Sequence, residues 1–191
     1  MTPTPFAAVL LAGGKSRRMG RDKALLPLPD GRLLWQRQLS VLEELGPTER
    51  YISGFARPGF PPEARVLADT WPDAGPLGGI AAALTVMHTP LLVVLAIDLP
   101  AMTAGFLRRL LAQAERDGKG VVPRHAGAAG YYEPLAAVYP RECLPLATER
   151  LAGGQLRMQE FVRAAGEVLQ PLEIAVGEEP LFANWNHPLP S

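Results

Sequence analysis

Phe6 to Leu11 is an unbroken apolar run that leads directly into Gly13 and Gly14. A strand with no polar alternation has two faces to cover, as an inner strand of a parallel sheet does. The rest of the chain repeats that theme. Leu34, Gln38, Val41, Leu42 and Leu45 recur at helical spacing, and Gly46-Pro47 stops that helix. Tyr51-Ile52 and Val66-Leu67 read as short strands, and Ile80 to Met87 as an Ala-rich helix. Leu91 to Ile97, LLVVLAI, is the strongest strand signal, followed by an amphipathic helix from Ala104 to Asp117 that Gly118 ends. Val121-Val122 and Leu135 to Tyr139 read as strands, and 141–151 and 155–165 as helices. Such alternation implies βαβ units: a mostly parallel central sheet with helices on both faces, a three-layer α/β/α arrangement of Rossmann-like type. No repeat or linker divides the chain, so residues 1–191 read as a single domain. Prolines after residue 170 suggest a closing segment wrapped over the sheet.

In such sheets ligands bind at the carboxyl ends of the strands. The first strand ends in Gly13-Gly14-Lys15-Ser16-Arg17-Arg18-Met19-Gly20-Arg21-Asp22-Lys23. Glycines admit backbone N–H groups close to a ligand, and Arg and Lys neutralise charge, so this loop suits phosphate groups. It is neither of two familiar phosphate loops. A Walker A loop needs glycine where Val9 stands, and a dinucleotide fingerprint needs glycine where Lys15 stands. The formal net charge is zero, which argues against a protein that coats nucleic acid; a basic loop in a neutral chain suits a small anion.

Other features exclude function classes. Cys143 is the only cysteine, which rules out an internal disulfide or a Cys-rich metal site and points to a reducing compartment. No apolar stretch approaches the ~18 residues of a membrane helix. MTPTPF lacks the basic start and apolar run of a signal peptide, so a cytoplasmic location is expected.

Asp98 directly follows LLVVLAI and should project from the carboxyl end of a central strand. A carboxylate there suits Mg²⁺, which commonly takes one or two protein carboxylates together with water and phosphate oxygens. The same position also suits an N-cap for the Ala104 helix or a turn residue. Asp73 reads as a turn residue. His88 and His125 lack metal-ligand spacing and read as surface or helix-end residues, and Cys143 as a small apolar filler.

Residues 11–25, Leu-Ala-Gly-Gly-Lys-Ser-Arg-Arg-Met-Gly-Arg-Asp-Lys-Ala-Leu, resemble the signature of nucleotidyltransferases that activate sugars, isoprenoid precursors and molybdopterin. They are most similar to the molybdenum cofactor guanylyltransferase group, with every fixed position of Leu-Ala-Gly-Gly-x-Ser-x-Arg-Met-Gly-x-Asp-Lys-Ala-Leu matched. Three further segments resemble that family: Gly75-Pro76-Leu77-Gly78-Gly79-Ile80, Ala96-Ile97-Asp98-Leu99-Pro100, and Phe182-Ala183-Asn184-Trp185-Asn186-His187-Pro188. Weaker matches fall at Tyr132-Glu133-Pro134-Leu135 and Leu156-Arg157.

The resemblance implies roles. Leu11, Ala12, Gly13 and Gly14 would lie along the base and sugar of GTP. Arg18 would sit near the phosphates and Lys23 would contact them. Asp69 and Gly78 would meet the nucleotide, Asp98 would hold Mg²⁺ beside it, and Asn184 and Asn186 would face the acceptor. Arg18, Lys23 and Asp98 would be the catalytic set. The implied reaction is GMP transfer from GTP to molybdenum-bound molybdopterin with release of pyrophosphate. Alternatives with the same chemistry are cytidylyl transfer to the same cofactor and nucleotidyl transfer to another phosphorylated small molecule. A non-catalytic nucleotide-binding or carrier protein is a different class, against which the intact Lys23 and Asp98 argue. Transient contact with cofactor-insertion or target enzymes is implied by analogy, with no nucleic acid or membrane as partner. Phe55, Phe60 and Trp71 suit core packing better than partner anchoring. Two departures limit the transfer of roles. His187 stands where the family has Thr, and Tyr51-Ile52-Ser53-Gly54-Phe55 lacks the family's Asn.

Overall fold

A computed structural model of the chain describes residues 4–13, 23–54, 59–68, 70–127 and 130–185. Arg18, Gly14, Asp69 and Asn186 lie outside them, as does the side chain of Lys23.

Among the described residues seven strands form one sheet: β1 (Phe6–Leu11), β2 (Glu49–Ser53), β3 (Arg65–Leu67), β4 (Leu91–Ala96), β5 (Gly120–Arg124), β6 (Ala136–Pro140) and β7 (Leu169–Glu173). Their order is β3-β2-β1-β4-β6-β5-β7. Neighbours are parallel except for β6, which runs antiparallel to both β4 and β5. Among the described residues five α-helices cover the sheet: α1 (Leu34–Glu43), α2 (Gly75–Val86), α3 (Ala104–Asp117), α4 (Leu144–Ala152) and α5 (Met158–Ala164).

The three-layer expectation holds because alternate residues of the inner strands feed two cores. Phe6, Ala8, Leu10, Val93 and Leu95 pack with α1 and α3, whereas Ala7, Val9, Leu11, Leu92 and Val94 pack with α2, α4 and α5. Each fully buried Val or Leu side chain here contributes about 1.5–3 kcal/mol, so β1 and β4, buried along their whole length, anchor the sheet.

Local chemistry sets the element ends. The Thr103 hydroxyl accepts from Phe106 N at 3.2 Å at the start of α3, and Gly118, at φ 66°, ends it as expected. Gly46, at φ 75°, turns the chain out of α1. Helix α2 starts at Gly75, five residues before the expected Ile80. Gly-Pro reads as a breaker, but proline is tolerated in a first helical turn, where its missing N–H costs nothing.

The closing segment differs from expectation in one respect. Leu169–Glu173 pairs with β5 alone and forms an edge strand, a sheet position that tolerates Pro171. Beyond it, Glu178 accepts from Arg109 at 2.6 and 3.0 Å, and Phe182 is buried edge-on against Phe106. Those contacts return the chain to the strand ends.

Candidate active site

From β1 the chain builds outward to β2 and β3, while β4 lies on its other side. The connections therefore change direction at the carboxyl ends of β1 and β4, and the crevice outside those ends is the preferred ligand site of such sheets. Leu11 to Gly13 leave β1 at this point, and Ile97-Asp98 leave β4.

Backbone contacts fix the β1 side. Ala12 N donates to Ser53 O at 2.8 Å, and Ile97 N donates to Leu11 O at 3.1 Å. Gly54 has φ 139°, and a Cβ on it would meet Gly13 N at 2.7 Å and Ala12 C at 2.9 Å. Only glycine lets the two backbones approach this closely. Gly79 instead makes room for side chains against α2: a Cβ there would meet Ser53 Oγ at 2.5 Å and Leu11 Cδ2 at 2.9 Å. Gly78 is buried against Trp71 and Ala74. The second glycine segment thus has a packing reason as well as the nucleotide role expected of it. The Leu11 and Ala12 side chains are buried, while Gly13 is exposed in the crevice. Asp73, at φ 61°, sits in a turn as expected.

Asp98 is half-buried, and its Oδ1 is buried without a hydrogen-bond partner among the described residues. It is not the N-cap of α3, which is Thr103. A buried carboxylate oxygen left without a donor is unfavourable unless something cationic completes it. The oxygen therefore fits a divalent ion, although no group of three or more His, Cys, Asp or Glu among the described residues could hold a metal by itself. Mg²⁺ does not require one when phosphate and water supply the other ligands.

Two other segments hold the Asp98 loop. Trp185 N donates to Asp98 O at 2.9 Å, which brings the closing segment, with Asn184, beside it. From the opposite side, fully buried Gln38 donates through Nε2 to Ala96 O at 3.0 Å and to Leu99 O at 2.9 Å. Arg37 donates to Gln38 Oε1 and to Met102 O, completing the network. The signal for Gln38 was present in the sequence as one amide on an otherwise apolar helical stripe.

Beyond Asp98, away from β1, lies a cavity of about 480 Å³ lined by Leu99, Glu133, Arg157, Gln159, Arg163 and Asn184, among others. The segments expected on the acceptor side, 132–135, 156–157 and Asn184, therefore do meet. His125 departs from expectation in that it is part-buried and paired, and it ends no helix. Its Nε2 lies 2.8 Å from Glu133 Oε1, and both side chains are part-buried. Burial pushes the Glu133 carboxyl above the ordinary range, His125 pulls it back, and the nearby Asp98 charge raises it again. Cys143 is fully buried, and burial pushes its thiol up to about 12, as suits an apolar filler. His88 is exposed beside Glu49, and Phe60 packs edge-on against Trp35 in the core. Phe55 lies outside the described residues.

Comparison with known proteins agrees with this geometry. Residues 8–168 match the family described as the MobA-like NTP transferase domain. A probable molybdenum cofactor guanylyltransferase of Opitutus terrae is 42% identical over 189 residues, covering 96% of this chain and 91% of that protein. A molybdenum cofactor guanylyltransferase of Mesorhizobium japonicum is 35% identical and covers 96% and 91% of the two chains. The crystal structure of molybdopterin-guanine dinucleotide biosynthesis protein A from Archaeoglobus fulgidus superposes with a TM-score of 0.74 at 25% identity, covering 96% and 93%. A 2-C-methyl-D-erythritol 4-phosphate cytidylyltransferase from Thermus thermophilus shares the fold, with a TM-score of 0.67 at 19% identity over 94% and 92%. With that match across most of its length, and a glycine-lined crevice beside a buried carboxylate, the chain belongs to the MobA-like NTP transferase family.

Proposed function

We propose that this nucleotidyltransferase transfers GMP from GTP to molybdenum-bound molybdopterin, forming the guanine dinucleotide cofactor and releasing pyrophosphate. The names of the relatives support the substrates. The observation that carries the site is the unpartnered Asp98 Oδ1, between the β1 crevice and the cavity. GTP would occupy the crevice along Leu11 to Gly14, with Asp69 and Gly78 against it. The acceptor would occupy the cavity, with Asn184 and Asn186 at its edge.

An oxygen of the acceptor's terminal phosphate attacks the α-phosphorus in line. A phosphorus–oxygen bond forms there as the bond to the β-phosphate oxygen breaks. Both phosphates are ionised at neutral pH, so no side chain needs to remove a proton. Asp98 would hold Mg²⁺, and bound Mg²⁺ supplies neutralisation of the phosphate charge. Arg18 and Lys23 would stabilise the charge on the departing pyrophosphate. Among the described residues no helix is long and apolar enough to cross a membrane. A cytoplasmic site of action, with hand-over to cofactor-insertion or target enzymes, belongs to the same proposal.

The test is thermal stability with GTP, CTP, ATP, UTP and TTP, each with and without Mg²⁺, for the wild type and Asp98→Asn. A ligand at one hundred times its Kd adds about 2.7 kcal/mol, roughly 5–10 °C in a domain of this size. The expected result is a Mg²⁺-enhanced shift with GTP, reduced in Asp98→Asn. A shift confined to CTP would replace guanylyl by cytidylyl transfer. An unchanged Mg²⁺ effect in Asp98→Asn would remove the metal assignment.

A further inference from the structure

The cavity beyond Asp98 carries one side chain that the transfer chemistry does not use, and it is held unusually firmly. Glu133 is anchored at its backbone, its carboxyl and its neighbour. Its N–H donates to Pro123 O at 2.8 Å, and the adjoining residues continue that pairing, with His125 N donating to Tyr131 O at 3.0 Å. Strands β5 and β6 pair at a single position, Val121 with Val138, so the segment before β6 takes over the β5 edge. Across that segment, Gln159 acts as a two-sided clamp. Its Oε1 accepts from Tyr132 N at 3.0 Å and its Nε2 donates to Tyr132 O at 2.7 Å. The carboxyl is then fixed by His125 at Oε1, and the His125 ring is itself wedged against Phe182 and Tyr131.

Glu133 Oε2 has no donor among the described residues, although Glu133 lines the cavity. A carboxyl with one oxygen tied down and the other open presents a directed acceptor. The opposite charge comes from Arg163, which also lines the cavity, is exposed and has no carboxylate partner among the described residues; exposed Arg157 lies beside it but pairs at 3.2 Å with Glu160, another lining residue. This combination suits a ligand with an anionic group at one end and N–H donors at the other. Acceptance by an ionised group is the stronger kind of hydrogen bond. We infer that Glu133, positioned by His125 and the Gln159 clamp, is a specificity residue that accepts from the amino edge of an N-heterocycle in the phosphorylated acceptor. The inference rests on the molybdopterin reading, because a pterin carries such an edge: a 2-amino group beside a ring N–H.

The test uses two fluorescent probes that differ at that edge, 6-(phosphooxymethyl)pterin and its 2-oxo counterpart. Each is titrated into the full chain saturated with GTP, in the absence of turnover. The wild type should prefer the 2-amino probe by about tenfold or more, the worth of one hydrogen bond to a charged group. In Glu133→Gln the preference should fall to about threefold or less, with GTP affinity unchanged. His125→Gln should fall in between. A general loss of packing would weaken both probes together and leave their ratio intact. An unchanged ratio in a folded Glu133→Gln would overturn the inference and leave the molybdopterin reading standing. Failure of both probes to bind the wild type, while GTP binds, would overturn both.

Discussion

The two halves of the sheet are built by different means. From β3 to β4 all strands are parallel, and the crevice turns on backbone meeting backbone, Gly54 against Gly13, while Gly79 leaves room for the side chains of Ser53 and Leu11. From β6 to β7 the sheet mixes directions, and the cavity beside it is shaped by side chains that tie separate segments together: His125 to Glu133 and Gln159 to Tyr132. A backbone contact tolerates one residue type at a fixed spacing. A side-chain contact tolerates many types at many spacings. Asp98 stands where the two halves join, held from one side by Gln38 and from the other by Trp185.

The contrast is sharpest at glycine. Gly54→Ala should destabilise by roughly 3 kcal/mol or more, because strain at positive φ adds to a clash with backbone that cannot yield. Gly127, at φ 81°, meets nothing within 4 Å where a Cβ would stand, so Gly127→Ala should cost only about 1 kcal/mol. Urea unfolding of the two variants measures the difference. Equal costs would break the distinction between the halves.

A smaller effect is expected at the junction. Gln38→Leu removes both donors to Ala96 O and Leu99 O in a fully buried place, a loss of about 1–3 kcal/mol. Because those carbonyls flank Asp98, the Mg²⁺ concentration for half-maximal GTP-induced stabilisation should also rise. A loss of stability with an unshifted Mg²⁺ dependence would make Gln38 a packing residue only.

The smallest effect lies at the outer edge of the second half. Arg109 holds the Glu178 carboxyl below its ordinary value of 4.5. A carboxylate with a lowered folded pKa adds stability above its unfolded pKa and loses it as pH falls through the folded one. Glu178→Gln should therefore cost about 0.5 kcal/mol at pH 7, since the pair is partly exposed. The cost should shrink as pH falls below 4.5 and vanish once pH passes below the lowered folded value. Melting temperatures of both proteins from pH 3 to 8 check this; a difference that persists in acid would contradict it.

The same contrast explains what could be read from the chain alone. The glycine segments, the β1 and β4 runs and both ends of α3 were legible because each is a local pattern or a backbone necessity. The start of α2 was obscured by Gly75-Pro76, and β7 by Pro171, since neither residue announces a helix or a strand. Glu133 and His125 stand eight residues apart on opposite sides of a turn, and Gln38 reaches Leu99 across 61 positions. No spacing rule links such partners before the fold brings them together.

The most direct measurement is product analysis by mass spectrometry after each nucleoside triphosphate is mixed, with Mg²⁺, with the wild type and molybdenum-bound molybdopterin. The guanine dinucleotide and an equal amount of pyrophosphate should form from GTP, and Asp98→Asn should slow their formation about a thousandfold, the scale on which loss of a charge-stabilising group acts. Dinucleotide from another triphosphate in preference to GTP, or undiminished turnover in Asp98→Asn, would contradict the proposed assignment of substrate and site.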